Sequence, residues 1–80
     1  MIAVDTNILT AAHRGEHPLH EVALRTLVAL AEGDAPWALP IFCLGEFLRV
    51  VTHPRVFTPP TTMTVATEFV DQLCQSPSVR

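Results

Sequence analysis

The sequence has no lysine and no tyrosine, and its five cationic side chains are all arginine: Arg14, Arg25, Arg49, Arg55 and Arg80. They are scattered rather than clustered, and the net charge is −3. A chain of that balance does not hold nucleic acid through a basic surface. If it acts on a phosphate-bearing substrate, it does so through a site, with a cation or a partner to offset repulsion. Cysteine is scarce as well. Cys43 and Cys74 lie far apart in apolar surroundings and are expected as buried free thiols, because nothing else points to an oxidising compartment. No apolar run approaches the roughly 20 residues of a membrane span. The N-terminus also lacks the basic region and long apolar stretch of a secretion signal. A cytoplasmic location without membrane association is therefore expected. There is no internal repeat and no low-complexity tract.

What is present is a large apolar share, 49% of 80 residues, enough to commit the chain to a core. Eighty residues make one domain at most. A chain so short buries only roughly 60% of its unfolded surface, so it would be marginal as a complete α/β unit.

Ile2, Ala3 and Val4 form a short apolar run that predicts a strand buried on both faces. The run stops at Asp5, and Asn7 is expected to cap a first helix through Ile8, Leu9, Thr10, Ala11 and Ala12. His13 to Glu16 is a loop around Gly15. Pro18 then opens a second helix, with Leu19, Val22, Ala23, Thr26, Leu27, Leu30 and Ala31 on one apolar face. Leu24 and Val28 widen that face enough for two neighbours. Gly33 and Asp34 end this helix in the manner of a C′ glycine. Trp37, Ala38 and Leu39 predict a second strand, and Pro40 suits the first turn of a third helix. From Ile41 to Thr52 that helix is apolar almost all round, which predicts a central, buried element.

His53 to Pro60 holds three of the seven prolines and predicts a rigid, irregular loop, with Val56 and Phe57 available to plug a hydrophobic edge. A fourth helix runs from about Thr61 to about Gln75, with Val65, Ala66, Phe69, Val70, Leu73 and Cys74 on its apolar face. Ser76-Pro77-Ser78 breaks it, and Val79 would open a third strand. Alternation of strands and helices predicts a parallel sheet flanked by helices. Two strands cannot cover four apolar helix faces, so the 80 residues are expected to be the N-terminal part of a larger single domain.

Two carboxylates carry the chemistry. A strand ending at Asp5 delivers it to the carboxyl edge of a parallel sheet, where open α/β folds bind ligands. The competing reading is a loop acid that caps the next helix. Glu46 interrupts the apolar third helix, which is costly unless it is paired or bound to a cation. Arg49, three residues on, could pair with it. The alternative is that Glu46 points towards Asp5. Two carboxylates about 4 Å apart repel by about 4 kcal/mol at an effective dielectric of 20, and a hard divalent cation between them relieves that repulsion. Mg²⁺ or Mn²⁺ takes carboxylate oxygens and keeps waters. It polarises a phosphoryl group and activates water for in-line attack.

These residues resemble those of a known family. The runs Ile2-Ala3-Val4-Asp5-Thr6-Asn7-Ile8-Leu9, Pro40 to Thr52 around Glu46, and His53-Pro54-Arg55-Val56-Phe57 are similar to the PIN-domain ribonucleases. Within that family they are most similar to the VapC toxins of bacterial toxin–antitoxin modules. The resemblance covers essentially the whole chain. It implies an α/β/α sandwich with a parallel sheet, truncated here after the fourth helix. It also implies a metal-dependent endoribonuclease that cleaves RNA phosphodiester bonds with a metal-activated water. Asp5 and Glu46 match catalytic, metal-binding acids for Mg²⁺ or Mn²⁺, and Thr6 and Asn7 match the supporting polar positions. A cognate antitoxin and a homodimeric full-length form are implied too.

The family's two further acids would follow Arg80. Glu68 and Asp71 stand in the wrong place to replace them and are expected on a solvated face. The isolated chain is therefore expected to have little or no nuclease activity. The alternative is a catalytically incomplete fragment that serves only as an antitoxin-binding or self-associating module. Two rival chemistries fit less well. His13, His17 and His20 could hold a transition metal, but no Cys or acid supports them at the right spacing. A nucleophilic Asp5 of the haloacid-dehalogenase kind would want a second Asp two positions on, where the chain has Asn7.

Overall fold

A computed structural model describes residues 1–79. The chain is mixed α/β. Its elements are β1 (Ile2–Ala3), α1 (Thr6–His13), α2 (His20–Glu32), β2 (Trp37–Ala38), α3 (Ile41–Val51) and α4 (Met63–Cys74). β1 and β2 pair in parallel, with Ile2 opposite Trp37 and Ala3 opposite Ala38. The Val4 N–H extends the pairing by donating to the Ala38 carbonyl at 3.0 Å. Val79 forms a parallel bridge to Trp37, as expected of a residue that opens a third strand, so β2 is flanked on both sides.

Trp37 organises this centre. It is fully buried, and its indole N–H donates to Ser76 Oγ at 3.4 Å. The Ser76 and Ser78 hydroxyls in turn donate to the carbonyls of Ala31 and Leu30 at the end of α2, at 2.7 and 3.2 Å. The Ser76-Pro77-Ser78 segment thus satisfies the carbonyls that a helix terminus leaves open. Gly33 ends α2 with φ −80° and ψ 170°, not in the left-handed conformation of a C′ glycine. Glycine is required there for another reason: a Cβ would lie 2.9 Å from the Ala29 carbonyl oxygen.

The core joins Val4, Leu9, Ala23, Leu27, Trp37, Phe47, Val51, Ala66 and Leu73. Several expected faces are less buried than their periodicity indicates. Ile2 and Ala3 are exposed, Ile2 by 60%, and only Val4 of that run is buried. α2 begins at His20 rather than Pro18; within it only Ala23 and Leu27 are buried, while Val22, Leu24 and Val28 are exposed, as is Leu19 at the cap position. In α3 only Phe47 and Val51 are buried; Ile41 and Phe42 are 78% and 88% exposed. Cys43 is half-buried and Cys74 exposed, both as free thiols. Among the described residues α1 packs on α2 and α3, and α3 also on α4, so α2 has one helix neighbour and its apolar stripe, wider than that contact, is left partly uncovered.

The proline-rich segment is held by the end of α1. Arg14 donates to the Pro59 carbonyl at 3.0 Å and to Thr61 Oγ1 at 2.9 Å, pairs with Glu16 at 2.6 Å, and lies 4.3 Å from the centre of the Phe57 ring. Phe57 is thus a half-buried stacking partner for a guanidinium, whereas Val56 is exposed. Thr62 caps α4 by accepting from the Val65 N–H at 3.3 Å.

His13 belongs to α1 rather than to the following loop. Its Nε2 is 3.0 Å from Thr61 Oγ1, and its ring packs against Phe47 and Phe69 at centroid distances of 5.5 and 4.9 Å. Burial, and then the neighbouring Arg14 charge, push its pKa below the ordinary 6.5, against an opposing pull from Glu16. The unfolded chain therefore binds a proton here more readily than the folded one. Stability from neutral His13 is complete above pH 6.5 and is lost as pH falls below it. The urea midpoint is expected to drop between pH 7.5 and pH 5. His13→Gln, which can still bond to Thr61, should flatten that dependence; an unchanged slope in the variant would assign the titration elsewhere.

Candidate active site

Asp5 follows β1 with an extended backbone (φ −95°, ψ 174°), and its Oδ1 accepts from the Ile8 N–H at 2.9 Å. Asp5, not Asn7, is the cap of α1. A capping oxygen reaches the N–H two or three residues on, and Thr6 and Asn7 already lie inside the helix. Capping and ligand binding are compatible in this geometry. The cap engages one carboxylate oxygen, and the other has no hydrogen-bond partner among the described residues. The carboxylate is exposed at the N-terminus of α1.

Glu46 is exposed on α3 rather than buried within it. Arg49 does not pair with it: among the described residues the only ion pair is Arg14–Glu16. Burial cost therefore says nothing about Glu46, and its position carries the information. Asp5, Thr6, Asn7, Phe42, Cys43 and Glu46 line one open cleft of about 260 Å³. The buried Thr6 hydroxyl donates to the Cys43 carbonyl at 3.4 Å, tying the first turn of α1 to the first turn of α3. That bond spans the two elements that supply the acids. Asn7 is exposed on the cleft wall, with its side-chain amide available to a ligand.

The structure thus brings together all four residues singled out from the sequence. Phe42 and Cys43 were not singled out. Their signal was available, because they stand four and three residues before Glu46 and so neighbour it on the helix surface. Glu68 and Asp71 are exposed on α4 and take no part in the cleft. The histidines do not converge on a metal. His13 bonds Thr61, His17 Nδ1 accepts from the Leu19 N–H at 3.1 Å, and His20 Nδ1 lies 2.9 Å from the Ala11 carbonyl.

Two carboxylates without a counter-ion offer the hard oxygen donors that Mg²⁺ or Mn²⁺ takes. In kind this donor set fits a hard divalent cation. In number it falls short: among the described residues no group of three or more His, Cys, Asp or Glu side chains is placed to hold an ion. Among the described residues no helix is long and apolar enough to cross a membrane.

No protein-family model matches the chain. Individual relatives do. The chain is 42% identical over 78 residues to Ribonuclease VapC43 of Mycobacterium tuberculosis, and equally to a VapC ribonuclease of Mycobacterium bovis; the match covers 98% of this chain and 53% of each relative. It is 35% identical over 77 residues to Ribonuclease VapC31 of Mycobacterium tuberculosis, covering 96% of this chain and 54% of that protein. The chain spans about half the length of the curated relatives it matches. Over that half, the chain is homologous to curated proteins named VapC ribonucleases.

Proposed function

We propose that the Asp5–Glu46 cleft is part of the active site of a divalent-metal-dependent endoribonuclease of the PIN type. Its fold would be the N-terminal part of a single α/β/α domain. The observation that carries this reading is the convergence of two acids from separate elements on one cleft, with no cation among the described residues paired to either. It is supported by the relatives, which are named ribonucleases.

Asp5 and Glu46 would hold Mg²⁺ or Mn²⁺. When bound, the ion would supply Lewis-acid polarisation of a phosphodiester and ease ionisation of an attacking water. The chain's own residues position these groups. The Ile8 N–H fixes one oxygen of Asp5, Thr6 sets the approach of α1 to α3, and Asn7 presents an amide to the substrate. Two exposed carboxylates make a weak site, so the 80-residue chain alone would have little or no activity. The proposal includes a cognate antitoxin as partner and a homodimer for the longer form, both in the cytoplasm.

The test compares RNA cleavage in Mg²⁺ by this chain and by a version extended over the remaining half of the relatives' length. Cleavage by the extended protein alone, abolished by Glu46→Gln, is expected. Equal, Glu46-dependent cleavage by the short chain would sink the claim of incompleteness, and cleavage indifferent to Glu46 would sink the site.

One observation favours a second reading, an incomplete fragment that binds antitoxin or a second copy. Ile8, Ala11, Leu19, Val22 and Ala23 help to line an apolar cavity of about 310 Å³ between α1 and α2. Antitoxin binding that survives Asp5→Ala, with no metal-dependent cleavage in either length of chain, would favour that reading.

A further inference from the structure

Phe42 is the most exposed large apolar side chain of the described residues, at 88%, and it stands at the acidic cleft. Its ring is the second residue of α3, one turn before Glu46 and on the same face. Burying a phenylalanine stabilises a fold by about 1.5–3 kcal/mol, yet here the ring is left to solvent. Three other phenylalanines, Phe47, Phe57 and Phe69, all have ring or guanidinium partners.

The charge distribution indicates what the ring is for. RNA-binding proteins usually take affinity from arginines and lysines set along the phosphate backbone. This chain has no lysine, five scattered arginines and a net charge of −3. The cleft itself presents two carboxylates and no cationic side chain. A bound divalent ion would engage one phosphate and would not hold the flanking nucleotides. A sequence-tolerant source of affinity for a single strand that needs no cation is stacking of a base on an aromatic face. Phe42 supplies the one aromatic ring in the lining of the cleft, and Asn7 supplies a polar edge beside it.

We infer that Phe42 is the stacking platform for an unpaired nucleobase adjoining the phosphate held at the Asp5–Glu46 cleft. The inference rests on the ribonuclease reading. A base stacked there fixes the register of the strand against the acids. The preferred substrate is thus a loop, bulge or single-stranded end, whose bases can leave the stack, rather than a continuous duplex.

The test measures binding of the protein extended over the remaining half of the relatives' length to a short single-stranded RNA in Ca²⁺, which substitutes for Mg²⁺ without supporting cleavage. One oligonucleotide carries 2-aminopurine at its centre, and a second is abasic at that position. The variants are Phe42→Trp, Phe42→Leu and Phe42→Ala, with Asp5→Asn as the control for the site. Wild type and Phe42→Trp are expected to quench 2-aminopurine and to prefer the base-bearing RNA by roughly 5- to 150-fold, the range that one base stacked on an aromatic side chain supplies. Phe42→Ala and Phe42→Leu should lose both the quenching and the preference, while binding the abasic RNA as wild type does. The leucine variant separates stacking from simple apolar contact.

Equal binding of the two RNAs by wild type, or full retention of the preference by Phe42→Leu, would overturn the inference. So would a Phe42→Ala effect confined to self-association in sedimentation. If binding depends on Ca²⁺ and on Asp5 but ignores the base, Phe42 is wrong and the site stands. If RNA binding ignores both Ca²⁺ and Asp5, the ribonuclease reading fails, and the inference fails with it.

Discussion

Replacing Phe47 by alanine is expected to cost about 3–5 kcal/mol, the usual range for removing a buried phenylalanine and leaving its cavity. Phe47 is fully buried where α1, α3 and α4 meet, 5.5 Å from the His13 ring in an edge-on arrangement and 5.4 Å from the Phe69 ring. Paired aromatic rings contribute beyond their buried area. At about 0.05–0.15 kcal/mol per residue, a domain of this length has about 4–12 kcal/mol in total. Its apolar faces are incompletely covered, so this chain belongs towards the low end of that range. Phe47→Ala should therefore populate the unfolded state at room temperature, whereas Phe47→Leu should fold with a lowered midpoint. Trp37 is the sole tryptophan and is fully buried, so urea titration followed by its fluorescence, alongside far-ultraviolet circular dichroism, reads the transition directly. A loss below about 1 kcal/mol for the alanine variant would show that this aromatic junction does not hold the three helices together.

Elements were more legible in the sequence than their surroundings. The helices and both strands fall close to where periodicity and breakers place them, because the 3.6-residue pattern and the prolines act locally. Burial did not follow from the same pattern. Ile2, Val22, Ile41 and Phe42 are apolar at positions that periodicity assigns to a core, yet all are exposed. Periodicity states which side chains would leave water if a neighbour were present; it does not supply the neighbour.

The site shows the same division. Asp5 and Glu46 were legible as isolated acids at a strand end and in an apolar helix, and they do share a cleft. Which oxygen caps α1, and the Thr6 bond to the Cys43 carbonyl, depend on how α1 meets α3. Residue types alone leave that angle open. His13 was misplaced in a loop for a related reason: its aromatic neighbours Phe47 and Phe69 are distant in sequence.

Asp5→Asn and Asp5→Ala are expected to separate two functions carried by one side chain. As a cap, Asp5 accepts from the Ile8 N–H at 2.9 Å. Asparagine caps about as well as aspartate, whereas alanine costs typically about 1 kcal/mol. Stability should therefore be nearly unchanged in Asp5→Asn and reduced in Asp5→Ala. The proposed role in metal binding has a different requirement, because a neutral amide does not replace the anionic oxygen a hard divalent cation prefers. Both variants should then lose cation affinity alike. Mn²⁺ titration of the isotope-labelled chain reads this without any need for activity. Paramagnetic broadening in wild type should centre on the cleft lined by Asp5, Asn7 and Glu46 and should fade in both variants. In the longer protein, cleavage in Mg²⁺ should fall by at least about 100-fold in both, since a positioned Lewis acid contributes several kcal/mol to the transition state. If Asp5→Asn retained the broadening and the cleavage, Asp5 would be a helix cap and nothing more. If Asp5→Asn were as unstable as Asp5→Ala, the capping assignment would be wrong. The two substitutions therefore answer different questions at one position: one removes the charge and keeps the cap, and the other removes both.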